Sequence, residues 1–142
     1  MALSRIESVD LLSRAQVGRV VFTERALPAV VPVTFALHAD SIVMRTSETT
    51  SLAAAASRGG VLAFEVDDFD PASRCGASVV VLGLPELVTL AAERACINLV
   101  LEPWAPGHND VWIRLPLTMV TGRRIIAEPS ADAVAGYGVF GQ

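Results

Sequence analysis

The stretch that decides the fold is Val30–Leu52, VVPVTFALHADSIVMRTSETTSL. It reads as two β-rich runs, Ala29–Leu37 and Ser41–Thr46, separated by a turn at His38-Ala39-Asp40 that is short enough for a hairpin. Just beyond the second run, Thr49 or Thr50 stands as an N-cap, SLAAAAS forms the body of a short helix, and Gly59–Gly60 ends it. Arg45, Thr46 and Ser47 therefore lie next to a helix start that carries Thr49, Thr50 and Ser51. Unpaired N–H groups and the dipole at a helix N-terminus favour an anion, and a guanidinium can grip two phosphate oxygens at once. The same residues also describe an N-capped helix beside an exposed arginine, and on the residues alone both readings stand.

The rest of the chain extends this hairpin. Upstream, the spacing of Ile6, Val9, Leu12 and Ala15 predicts a helix over Ile6–Ala15, capped by Ser4 or Ser8 and stopped by Gly18. A strand over Gly18–Thr23 follows, with ERALP as a hairpin turn. Downstream, Val61–Val66 reads as a strand and DDFDPASRCG as a loop. Ser78–Leu84 is a strand running on past Pro85 towards Val88, and Leu90–Leu101 has the composition of a helix. EPWAPGHND is a loop, and Val111–Ile126 is a final strand or strand pair with Pro116 at a bulge or edge. Strands outnumber helices and their links are hairpin-sized, which predicts a mainly β, antiparallel barrel with flanking helices. Residues 1–126 form a single domain in this reading. The Ala- and Gly-rich tail 127–142 is expected to be loosely ordered, with Tyr137 and Phe140 as docking points.

Composition narrows the function classes. The 142 residues are 52% hydrophobic and only 18% charged, a surplus that a subunit interface would hide. The most apolar run, Ala77–Ala92, is broken by Gly83, Pro85, Glu86 and Thr89, so no membrane span is expected. Glu7 and Asp10 stand where a signal peptide needs an apolar run, which points to a cytoplasmic location. A net charge of −4 argues against nucleic acid as a partner. All 11 basic residues are arginine, and without a lysine Schiff-base chemistry is excluded. Cys75 and Cys96, like His38 and His108, have no metal-ligand spacing, so no metal site is expected.

Two further clusters have plain readings. Glu65, Asp67, Asp68 and Asp70 read as a solvated turn tethered by Arg74 rather than as a calcium loop or a catalytic pair. Trp104 and Trp112, around a Pro/Gly loop, are suited to core or interface packing and equally to walling a flat ring. His108 in that loop is a lone histidine, a weak candidate for acid–base work.

The segments VGRVVF, VVPVTFAL, IVMRTSETTSLAAA, LAFEVDDFDPASRCGASVVVLG, EPWAPGHNDVWIRL and VTGRRI occur in this order from Ser8 to Ile125. Together they resemble the pyridoxamine 5′-phosphate oxidase-like flavin-binding proteins, in the small actinobacterial branch grouped with nitroimidazole-resistance proteins. The resemblance implies a split β-barrel homodimer with two flavin sites, each built by both subunits, acting on a small-molecule substrate. It implies that Pro32, Val33 and Thr34 line the isoalloxazine ring of FMN and that Arg45, Thr46 and Ser47 meet the phosphate. Thr50, Ser51 and Leu52 then stand at the helix start, and Ser78 and Trp104 at the far edge of the ring. The chain departs from the family pattern at Ser51, where relatives usually carry a phosphate-binding lysine, and at Ala77, where many carry Trp. The deazaflavin F420, or no cofactor at all, are the alternatives that this departure leaves open.

Overall fold

The computed structural model describes residues 1–127. Helix α1 spans Arg5–Arg14, and strands β1 (Val17–Glu24), β2 (Leu27–Thr34), β3 (Ala36–His38) and β4 (Ser41–Thr46) follow. After helix α2 (Ser51–Arg58) come β5 (Leu62–Asp70), β6 (Cys75–Gly83) and the short β7 (Glu86–Leu87). Helix α3 (Ala91–Asn98), β8 (Val111–Pro116) and β9 (Met119–Ile125) complete the described chain. The strands form a five-stranded sheet, β2-β1-β5-β6-β9, and a four-stranded sheet, β3-β4-β8-β7. Every pairing is antiparallel, as expected for a split barrel.

The core lies between the sheets. Val20, Phe22, Phe64, Val79 and Val81 of the larger sheet meet Ile42, Met44, Ile113 and Leu115 of the smaller, with Leu12 of α1 and Leu52 of α2 at its margins. Phe35 and Phe64 pack edge to face with ring centres 4.7 Å apart. A second cluster of Val43, Val88, Ile97 and Leu101 covers the opposite face of the smaller sheet. That sheet is therefore buried on both sides, which explains the unbroken apolar run at the start of β4.

Among the described residues, no element covers the outer face of the larger sheet. Val30, Val21, Ala63, Leu82 and Met119 form one row across all its strands. The next row holds Pro32, Arg19, Glu65, Val80 and Thr121. Arg19 Nη1 bridges Glu65 at 3.1 Å and Asp67 at 3.2 Å. Burial, and the neighbouring Asp67, push the Glu65 carboxyl above its ordinary range against the pull of Arg19.

Several sequence expectations are corrected. The run Ala29–Leu37 is two strands belonging to different sheets, divided at the buried Phe35. Most of DDFDPASRCG is strand, because β5 and β6 pair out to Asp70 and Cys75. Arg74 does not tether the acids by an ion pair; its N–H donates to the Asp70 carbonyl in the turn, and the clamp on the carboxylates is Arg19. The hairpin turns at Arg25-Ala26 and Ala39-Asp40 hold all four residues at positive φ (52°, 64°, 49° and 59°) without a glycine. That is the backbone a two-residue antiparallel turn requires. The helix α1 is closed by a capping box of Ser4 and Glu7 and ends at Arg14, so Gly18 does not stop it. The positions Tyr137 and Phe140 lie outside the described residues, and among those described no helix is long and apolar enough to cross a membrane.

Gly18 instead lies in β1 beneath the Phe64 ring, and a β-carbon there would be built into that ring. Gly18→Ala is expected to cost about 1–3 kcal/mol through overpacking. Urea unfolding of the two proteins checks this, and equal midpoints would show that the ring can move aside.

Candidate functional site

A cleft of about 700 Å³ opens between the β1–β2 hairpin, the start of α2 and the loop joining α3 to β8. Its apolar side is formed by Val17, Val31, Pro32 and Val33, and its polar end by Thr34, Thr46, Thr49, Thr50 and Ser51. Pro103, Trp104 and Ala105 close it from the loop, with Trp104 66% exposed at the mouth. Of the residues singled out from sequence, the cleft brings together Pro32, Val33, Thr34, Arg45, Thr46, Thr50, Ser51, Leu52 and Trp104.

The polar end is a built helix cap. Thr50 Oγ1 accepts from the Ala53 N–H at 3.1 Å and donates to the Ser47 carbonyl at 2.9 Å. Thr46 Oγ1 lies 2.9 Å from Thr50 Oγ1, so the two hydroxyls hold each other. Gly59 closes the other end of α2 at φ 74°, which a glycine adopts without strain. The N–H groups of Ser51 and Leu52 precede the first helical bond and remain available to an anion. Ser51 itself is exposed in the first helical position.

Arg45 is more committed than the sequence suggests. Its Nε and Nη2 both donate to the Asn109 carbonyl, at 2.9 and 2.7 Å, and its Nη1 donates to Asn98 Oδ1 at 3.2 Å. Trp112 Nε1 donates to the same Asn98 oxygen at 3.2 Å. Strand register places Trp112 beside Arg45, with the Arg45 guanidinium 4.2 Å from the indole centre and that of Arg94 at 4.4 Å. Burial lowers the affinity of Arg45 for its proton, while Asp110 opposes the shift. One guanidinium thus pins both ends of the α3–β8 loop, and the Glu48 N–H adds a bond to Asp110 at 3.3 Å.

Two candidates lie elsewhere. Ser47 turns its hydroxyl to Thr49, at 3.0 Å, and serves the cap rather than the cleft. Ser78 lies on the outer face of the larger sheet, between Asp67 and Arg123. His108 is exposed and not among the lining residues. The residues that sequence reasoning missed are Asn98 and Asn109. Asn98 has no local signature, and Asn109 acts through its carbonyl, which every residue possesses.

Arg45→Lys keeps the charge but cannot fork onto one carbonyl while reaching Asn98. It is expected to cost about 1–3 kcal/mol, the range for hydrogen bonds of a charged group. Tryptophan emission from Trp104 and Trp112 should move to the red as the loop loosens. Unchanged stability and emission would show that the fork does not hold the loop.

Comparison with known proteins agrees with this architecture. The family model described as pyridoxamine 5′-phosphate oxidase matches residues 4–124. An uncharacterized protein of Mycobacterium tuberculosis is 38% identical over 130 residues, covering 89% of this chain and 86% of that one. The FAD binding protein from Mycobacterium smegmatis superposes with a TM-score of 0.76 at 31% identity, over 89% of this chain and 99% of the other. A putative pyridoxamine 5′-phosphate oxidase from Corynebacterium glutamicum gives 0.73 at 26% identity, over 90% and 94% of the two chains. With the family match spanning nearly all the described residues, and a split barrel beneath it, the chain belongs to the pyridoxamine 5′-phosphate oxidase family.

Proposed function

We propose that the chain is a flavin-binding oxidoreductase acting on a small molecule, with the flavin ring against Pro32–Thr34 and its phosphate at the start of α2. The observation that carries this reading is the polarity of the cleft, apolar along the hairpin and lined with hydroxyls at a helix N-terminus. FMN is the smallest phosphorylated flavin that matches both ends. The FAD binding relative from Mycobacterium smegmatis supports a flavin here. A bound flavin supplies hydride and single-electron transfer, which side chains do not.

The residues of the chain bind, orient and exclude water. Pro32 and Val33 offer an apolar wall, Trp104 shields the mouth, and the N–H groups of Ser51 and Leu52 meet the phosphate. No Asp, Glu or His lines the cleft, so no side chain there is suited to acid–base catalysis. Ser51 adds a hydroxyl but no charge, and an ion pair contributes more than a neutral hydrogen bond. The visible spectrum of the purified protein tests the reading directly. A flavin band surviving gel filtration and bleached by NADPH is expected, and a protein that takes up no flavin refutes it. Ser51→Lys should tighten FMN several-fold and leave riboflavin, which lacks the phosphate, unchanged; an equal gain for both would place the phosphate elsewhere.

The protein acts as a cytoplasmic homodimer in this proposal. Support comes from the uncovered face of the larger sheet, where the apolar row from Val30 to Met119 includes side chains up to 62% exposed. A dimer burying that face would account for the apolar surplus of the composition. Sedimentation of the wild type at micromolar concentration should give a dimer, and Leu82→Arg, in the middle of the row, should give a folded monomer. A wild-type monomer would overturn the proposal.

A further inference from the structure

The phosphate end of the cleft is short of positive charge, and the missing charge lies at the other end of the same helix. Arg45 spends its fork on Asn109 and Asn98, and Ser51 brings none. Where α2 ends, a second cavity of about 390 Å³ is lined by Arg25 and Arg58 together with Phe22, Ala26, Val61 and Leu62. Its lining holds no carboxylate, in a chain whose net charge is −4. Among the described residues neither guanidinium forms an ion pair. Arg58 Nη2 donates to the Thr23 carbonyl at 3.3 Å, which ties it to β1 at the cavity wall. Arg25 stands in the hairpin turn at φ 52°, a backbone that a residue with a β-carbon holds at a cost.

The two cavities share their walls. Ser51 and Leu52 of α2 line the first, and Ala55 and Arg58 the second. The hairpin contributes Val31–Thr34 to the first, and Thr23, Arg25 and Ala26 to the second. The 8 residues of α2 separate the two over about 12 Å. A single phosphate does not cross that span, but a pyrophosphate followed by a ribose does. Charge favours the same extended ligand. The monoester of FMN concentrates nearly two negative charges at a helix start that lacks a free cation. A pyrophosphate carries one per phosphate and passes the second towards the arginines. A guanidinium serves there as a counter-charge and as a flat face for an aromatic ring.

We propose that the cavity between Arg25 and Arg58 is the subsite for the adenylate half of a dinucleotide flavin, FAD. It rests on the reading of the first cleft as a flavin site. Titration calorimetry of the full chain with FAD, FMN and AMP tests it, in the wild type and in Arg25→Gln/Arg58→Gln. Wild-type protein should bind FAD at least tenfold more tightly than FMN. The double variant should bring FAD down to the FMN level with FMN affinity unchanged, and FMN binding then certifies its fold. AMP should compete with FAD and bind alongside FMN. Equal wild-type affinities for FAD and FMN overturn the subsite while leaving the flavin cleft standing, as does a double variant that retains FAD or loses both flavins equally. AMP binding that the variant abolishes, with FAD no better than FMN, makes the cavity a free-nucleotide site and overturns the dinucleotide. Failure of the wild type to take either flavin overturns the cleft and this subsite together.

Discussion

The cleft is organised by the pleat of β4, because successive side chains of a strand point to opposite faces. Ile42 and Met44 enter the core between the sheets, and Val43 points the other way into the cluster beneath α3. The last two residues continue the alternation at the edge of the cleft. Thr46 reaches Thr50 and fixes the start of α2, whereas Arg45 reaches Asn98 and Asn109 and fixes the α3–β8 loop. A register slip of one residue would exchange these partners and dismantle floor and wall together. Pairing of β4 with β8 from Ser41 to Thr46 guards against it.

Arginine serves as structural mortar throughout this lysine-free chain. Arg114 bridges Glu86 at 3.0 Å and also pairs with Glu93, tying β7 and α3 to β8. Arg94 donates to the Val88 carbonyl at 2.9 Å while its guanidinium rests on Trp112. These uses need a planar fork that can stack and bridge, and an ammonium supplies neither. The consequence for the site is that a cation near the cleft is not automatically a cation for the ligand. Arg45 lines the cleft and still has three of its bonds made within the fold.

The sequence carried the local structure well where chemistry is local. Thr50 at the N-cap, Gly59 at the C-cap and the two-residue turns all follow from single residues and their neighbours. The run Ser41–Thr46 was legible to the residue because its apolar content matches burial on both faces. What could not be read depends on partners distant in sequence. The division at Phe35 arises because a continuous β-rich run changes sheet, and both halves have the same composition. The long β5–β6 ladder puts acids in strands, where pairing to Cys75 and across to Arg19 outweighs their turn preference. Most of the cleft was foreseen by family resemblance, yet Ser78 was not separable from it, since only the pleat decides which face of β6 a residue takes.

That pleat also relates the cleft to the bare face. Pro32 belongs at once to the cleft lining and to the outer row that contains Arg19, Glu65 and Val80. The cleft and the uncovered sheet are therefore continuous at β2, the edge strand. The charges of Arg19, Glu65 and Asp67 sit in the midst of apolar neighbours, and the raised carboxyl of Glu65 records that desolvation already outweighs its ion pair. Covering this face would deepen that desolvation and demand a partner surface that answers the charges in kind. A two-fold copy of the same sheet does so, because an isologous contact presents the same arginine and carboxylates in reverse order. A partner docked there reaches the rim of the cleft through Pro32, so assembly and ligand binding act on the same edge strand.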